Sequence, residues 1–206
     1  EVMQLRLLGD VHGDQHKIND WLSDYLNYDL NISVGDFGIG FGASYVFDET
    51  DPSRFKICAG NHDNYSLLKQ HPHNLGDFGV FFFGYKNIFF VRGARSIDAG
   101  RRTPGVDWWP DEELDLGQAY ACLELWEKVC DTIDLVISHD CPLNATRLIH
   151  RSCPDENATG TLLWHMWKHH EPPAWYFGHH HRDWSNMIGR TYFHCLNIGD
   201  ELVLEC

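Results

Sequence analysis

Five times along the chain an apolar run breaks off into a turn, usually bearing glycine, that carries Asp, Asn or His. The segments are LLGDVHGD (Asp10, His12), SVGDFG (Asp36), CAGNHD (Asn61, His62, Asp63), VISHD (His139) and YFGHHH (His179, His181). Each preceding run is rich in β-branched and aromatic residues and reads as a strand. Strands that end along one edge of a sheet bring their turns together, and glycine lets the backbone reverse there without steric penalty. Seven donors would then converge: Asp10, His12, Asp36, Asn61, His139, His179 and His181. Carboxylate and amide oxygens mixed with imidazole, and no thiolate, suit Mn²⁺ first, with Fe, Zn²⁺ or Ni²⁺ as alternatives. Seven donors exceed the needs of one ion, whereas two ions ~3.5–4 Å apart can share a carboxylate, clamp a phosphoryl oxygen and activate water.

The rest of the chain sets the frame for that cluster. VMQLRLL, LNISV, FKICA, FGVFFF, NIFFV, TIDLVIS, AWYFG, TYFHCL and LVLE read as strands. Residues 15–27, 64–70, 111–131 and 159–169 read as helices, the third with the acids of PDEELD in its first turn. GYKN (Gly84 to Asn87) reads as a hairpin turn. Strands separated by helices early and paired in hairpins later predict a mixed-sheet α/β or α+β fold. Without repeats or linker-like tracts, a single domain over 1–206 is expected.

Composition excludes several classes. A net charge of −14 disfavours a broad nucleic-acid surface, although nucleic acid stays open as a substrate. No apolar run approaches the ~20 residues of a membrane span. Seven scattered cysteines without a CxxC pair point away from a disulfide framework and towards a reducing cytoplasm.

The five segments, in this order, resemble the motifs of the calcineurin-like metallophosphoesterase family: D-x-H, G-D, G-N-H-[DE], a lone His and G-H-x-H. The resemblance implies a four-layer fold, two mixed β-sheets sandwiched between helices, with two divalent metals at the carboxyl ends of the strands. It implies that Asp10, His12 and His181 hold one ion, Asn61, His139 and His179 the other, and Asp36 bridges. His62 matches the family's proton donor to the leaving oxygen, and Asp63 would support the turn. The protein serine/threonine phosphatases of the family carry G-D-x-x-D-R-G; here Ile39 stands at the second Asp, so protein phosphatase activity is disfavoured and no partner for His62 is evident.

Three further groups are weighed. Arg95 in GARSID and His180 between two donors are candidates for substrate contact, as is Asn61. The stretch 98–118, with Trp108 and Trp109, is read as an insertion pinned to the body of the domain, with stacking on a substrate as the alternative. GIGFG (Gly38 to Gly42) is read as a flexible rim, and the remaining histidines, His150 among them, as surface or packing residues. The favoured function is metal-dependent hydrolysis of a small phosphate ester. Diesters are preferred because few Lys or Arg lie near the motifs. Phosphomonoesterase activity, a non-catalytic scaffold of the same fold and simple metal storage are the alternatives.

Overall fold

The computed structural model describes residues 2–151 and 157–206, so Cys153 lies outside them. The strands are β1 (Gln4–Leu8), β2 (Leu30–Ser33), β3 (Phe55–Ile57), β4 (Phe78–Phe83), β5 (Lys86–Val91), β6 (Leu135–Ser138), β7 (Ala174–Phe177), β8 (Trp184–Ile188), β9 (Thr191–Cys195) and β10 (Glu201–Glu205). The helices are α1 (Gln15–Leu22), α2 (Val46–Glu49), α3 (Tyr65–Leu68), α4 (Leu116–Val129), α5 (Leu143–His150) and α6 (Ala158–His169). One sheet has the order β10-β1-β2-β3, parallel except for β10. The other has the order β4-β5-β6-β7-β9-β8, parallel at its centre with antiparallel edges.

The period-2 pattern of the strands builds the layers. Leu5, Leu7, Ile32, Ile88, Phe90, Ile137 and Tyr176 meet in one buried cluster between the sheets. The alternate residues Phe89, Val91, Val136, Trp175 and Phe177 turn the other way, onto Trp126 of α4 and Leu163 and Met166 of α6. On the far side of the first sheet, Phe55 and Ile57 pack with Ile18 and Trp21 of α1. Helices, sheet, sheet and helices therefore stack as four layers, the mixed α/β architecture expected. No helix among the described residues is long and apolar enough to cross a membrane.

Several boundaries differ from expectation. The helix expected over 15–27 ends at Leu22, and a separate 3-10 turn follows at Tyr25–Asn27. The helix expected from 111 starts at Leu116, because Asp115 and Gln118 form a capping box; the acids 111–113 precede the helix instead of lying in its first turn. Strand β8 and helix α5 had no sequence signal. The hairpin turn at Gly84 is present, joining β4 to β5.

A polar knot ties these layers beside the site. The Asp77 carboxylate accepts from Arg92 Nε and Tyr65 Oη, both at 2.6 Å, and from Gln118 Nε2 at 2.9 Å. Arg92 is buried, with its guanidinium carbon 3.6 Å from the Tyr65 ring centroid. Burial pushes the Asp77 carboxyl up, but the Tyr65 hydroxyl and the Arg92 guanidinium outweigh it and hold it below its ordinary value. A carboxyl lowered on folding adds stability above its unfolded pKa, and that stability is lost as pH falls through the folded value. Denaturant melts should therefore show Asp77→Ala destabilised by about 3 kcal/mol at pH 7, because Arg92 is left buried and unpaired, with the difference from wild type shrinking in acid.

Candidate metal centre

Each motif sits immediately after a strand. Asp10 and His12 follow β1, Asp36 follows β2, Asn61 and His62 follow β3, His139 follows β6, and His179 and His181 follow β7. Because β1, β2 and β3 run parallel, as do β6 and β7, all these turns emerge at the same edge of their sheets. The turns are tight. His12, Asp36, His179 and His181 are four of the five described non-glycine residues with positive φ, between 49° and 65°. Such backbone is strained for residues with a Cβ and persists where the surroundings over-determine it, as they do at binding sites.

The donors form two groups that share one carboxylate. Asp10, His12, Asp36 and His181 offer one set, and Asp36, His139 and His179 the other, with the ligand atoms of each set within 4.8 Å of one another. In the first, His181 Nε2 lies 3.2 Å from Asp10 Oδ2 and 3.0 Å from His12 Nε2. In the second, His139 Nε2 lies 3.3 Å from Asp36 Oδ1 and 3.0 Å from Asn61 Oδ1. His139 Nδ1 donates to the Val34 carbonyl at 2.9 Å, which aims Nε2 at the cluster. All seven expected donors are thus brought together.

These residues fit divalent ions. Donors ~2.0–2.2 Å from one ion lie ~3–4 Å from each other, and neighbouring donors here are 3.0 to 4.0 Å apart. Asp10 and Asp36 are no more than 1% exposed, and Asp36 Oδ2 has no hydrogen-bond partner. Burial would raise the Asp36 carboxyl, but the imidazoles of His139, His62 and His12 hold it well below the carboxylate range. Against its own burial, His139 is raised by Asp36. Burial pushes His179 down to about 4 and lowers His12, so these rings present lone pairs at neutral pH.

The surrounding chain is shaped around the carboxylates. A Cβ at Gly178 would collide with Asp10 Oδ1, and a Cβ at Gly35, whose φ is +123°, with the His139 ring. Asp63 is buried and accepts from Gly38 N at 2.8 Å, Gly60 N at 2.9 Å and Ile39 N at 3.0 Å. It therefore braces both the β2 and β3 turns, the supporting role expected of it. The Gly38–Gly42 loop, expected as a flexible rim, is anchored by those bonds and by Asn64 N donating to the Ile39 carbonyl.

The donors open onto a cleft of about 540 Å³ whose walls include His62, Arg95, Arg102, His150 and His180. Arg95 is exposed on that wall. His180 does not point away as in an extended segment, because the left-handed turns on either side redirect it. Its Nε2 is 3.0 Å from Asp140 Oδ1 and its Nδ1 is 3.0 Å from His150 Nε2. His150, read from sequence as packing or surface, thus belongs to the cleft. Trp108 and Trp109 do not line it; Trp109 is buried edge-on against Phe41, as a pin for the insertion.

Residues without a sequence signal complete the site. Asn61 Nδ2 donates to Ser96 Oγ, which donates to Glu112, so the amide oxygen is turned to His139. Arg102 Nη1 lies 3.0 Å from His62 Nδ1. Neither pairing follows from periodicity; an arginine and a glutamate inside a motif-free insertion would have been the only hint.

No family model and no curated protein matches the sequence. Solved structures match by shape. A candidate 5′-nucleotidase from Staphylococcus aureus, in complex with α-ketoglutarate, superposes with TM-score 0.60 at 14% identity, covering 98% of this chain and 51% of that one. This chain thus spans about half the length of that protein. A protein from Thermus thermophilus matches with TM-score 0.58 at 12% identity, over 97% of this chain and 91% of the other. The phosphopantetheinyl hydrolase of Mycobacterium tuberculosis matches with TM-score 0.52 at 14% identity, over 95% and 90%. The chain has the calcineurin-like metallophosphoesterase fold.

Gly178→Ala should abolish tight binding of Mn²⁺, measured by calorimetry, while leaving the far-ultraviolet dichroism unchanged, because its Cβ collides chiefly with Asp10 Oδ1 and only crowds Val34 Cγ2, at 3.0 Å.

Proposed function

We propose that a chain with this metallophosphoesterase fold hydrolyses small phosphate esters, with diesters preferred. The single observation that carries the reading is the pair of donor groups meeting at the shared Asp36 carboxylate, whose buried Oδ2 has no hydrogen-bond partner. Asp10, His12, Asp36 and His181 would hold one divalent ion and Asp36, Asn61, His139 and His179 a second, with Mn²⁺ the favoured metal. Bound divalent ions supply Lewis-acid polarisation of a phosphoryl oxygen and acidify water.

The chain's own residues supply the rest. Asp36 is held by the His62 backbone N–H donating to Oδ1 at 2.7 Å, so the bridging carboxylate and the His62 turn are one rigid unit. His62 Nε2 lies 4.0 Å from Asp36 Oδ2, at the cleft floor, where it can donate a hydrogen bond to the leaving oxygen. Asn61 is oriented through Ser96 and can meet a non-bridging phosphoryl oxygen. An open cleft of about 540 Å³ has room for a second ester arm. Six cysteines among the described residues are free and buried, which suits a reducing compartment such as the cytoplasm. The acidic surface favours a nucleotide-sized substrate over nucleic acid.

Phosphomonoesters are the second reading, because Arg95 and Arg102 on the cleft wall supply cations that were not evident from the motifs alone. Rates on bis-p-nitrophenyl and mono-p-nitrophenyl phosphate with Mn²⁺ separate the two, and the diester is expected to be faster. Activity should vanish with chelation and with Asp36→Asn, and fall about 10²-fold in His62→Ala. Full activity after chelation would overturn the reading.

A further inference from the structure

Helices α4 and α6 pack together and both end just ahead of a parallel strand, β6 and β7 respectively. Their C-termini therefore lie at the opposite edge of the second sheet from the strand-end turns that carry the donors described above. The caps bear metal-type side chains: Cys130 ends α4, Asp131 follows it, and His170 ends α6. Cys130 Sγ, a carboxylate oxygen of Asp131 and a ring nitrogen of His170 all lie within 4.8 Å of one another. His170 Nδ1 is 3.2 Å from Asp131 Oδ1. Cys130 is buried and His170 half-buried, whereas the Asp131 side chain is 91% exposed. The group is thus closed towards the core and open to water on one side.

Its surroundings favour a cation. Helices of 14 and 12 residues both present their C-terminal ends here, and the last carbonyls of a helix carry partial negative charge. Among the described residues Asp131 forms no salt bridge with Lys or Arg; its partner is His170. Burial pushes the Cys130 thiol up and Asp131 pushes it further, so without an ion the sulfur keeps its proton. A bound ion reverses that preference, because a coordinating thiol is deprotonated outright. The two caps are also fixed relative to each other. The Met166 carbonyl accepts from the His170 backbone N–H at 3.1 Å and from the Trp126 indole at 2.8 Å, and the Trp126 ring meets the His170 ring edge-on at 6.3 Å.

We propose that Cys130, Asp131 and His170 form a separate Zn²⁺ site that staples α4 to α6. Thiolate, imidazole and carboxylate together match Zn²⁺, whereas Mn²⁺ prefers oxygen donors. As the Zn–S bond forms, the S–H bond breaks and its proton passes to buffer. Thiolate and carboxylate then balance the charge of the ion, and water takes the fourth position on the open side. The site shares no residue with the strand-end cluster, so its failure would leave the phosphoesterase reading untouched.

Cobalt separates the two places, because the strand-end donors include no sulfur. Chelator-stripped protein in excess Co²⁺ should develop the intense near-ultraviolet thiolate-to-Co²⁺ charge-transfer band. Cys130→Ala and His170→Ala should lose that band, and Cys141→Ala should retain it. Asp131→Asn alters only an exposed side chain; it should keep the band but need about tenfold more Co²⁺, since losing even an outer partner of a metal ligand costs about 10–100-fold in affinity. Equilibrium dialysis should find one more Zn²⁺ per chain in the wild type than in Cys130→Ala, with far-ultraviolet dichroism checking that both are folded. No band in the wild type, a band unchanged in Cys130→Ala, or equal zinc in the two folded proteins would overturn the proposal. If Cys130→Ala does not fold, His170→Ala decides, and an unchanged band there overturns the proposal as well.

Discussion

Two carboxylates, Asp10 and Asp36, are shut away from water at the meeting point of five strand-end turns. A buried anion costs several kcal/mol unless positive charge lies against it. No Lys or Arg forms a salt bridge with either among the described residues; the partners are the imidazoles of His12, His62, His139 and His181. Imidazoles balance such charge either by carrying protons or by sharing an ion with the carboxylates. The left-handed turns, the glycines at van der Waals contact and the β2 and β3 turns braced by Asp63 all serve to keep these anions packed together. The four-layer scaffold makes this possible, because parallel strands deliver their turns to one edge.

Much of this was legible in the chain itself. The nine runs read as strands all contain strands, because alternating β-branched and aromatic residues bury both faces of each sheet. Strand β8 escaped because Ser185, Asn186 and Met187 are exposed, so an edge strand leaves no apolar pattern. Helix α5 escaped because it follows Pro142 without a side-chain cap and is only eight residues long. The seven donors were legible because each lies within four residues of a strand end. Arg102, Glu112, Asp140 and His150 were not, since their partners lie at long range and no local period encodes a pairing between a loop and a motif.

The insertion shows how a shared scaffold acquires its own chemistry. Trp109 pins it beneath the Gly38–Gly42 loop, and two polar contacts then extend from it to neighbouring residues of the third motif. Glu112, through Ser96, turns the Asn61 amide, and Arg102 Nη1 lies 3.0 Å from His62 Nδ1. Where the protein serine/threonine phosphatases would place an aspartate, this chain has the buried Ile39, and the group that meets His62 Nδ1 is Arg102 of the insertion.

The central claim is that Asp36 lies between two divalent ions. Anomalous diffraction from crystals grown with Mn²⁺ tests it most directly. The account predicts two anomalous peaks, one on the Asp10, His12 and His181 side of Asp36 and one on the Asn61, His139 and His179 side. Absence of any peak within bonding distance of the Asp36 carboxylate, at saturating Mn²⁺, would contradict it.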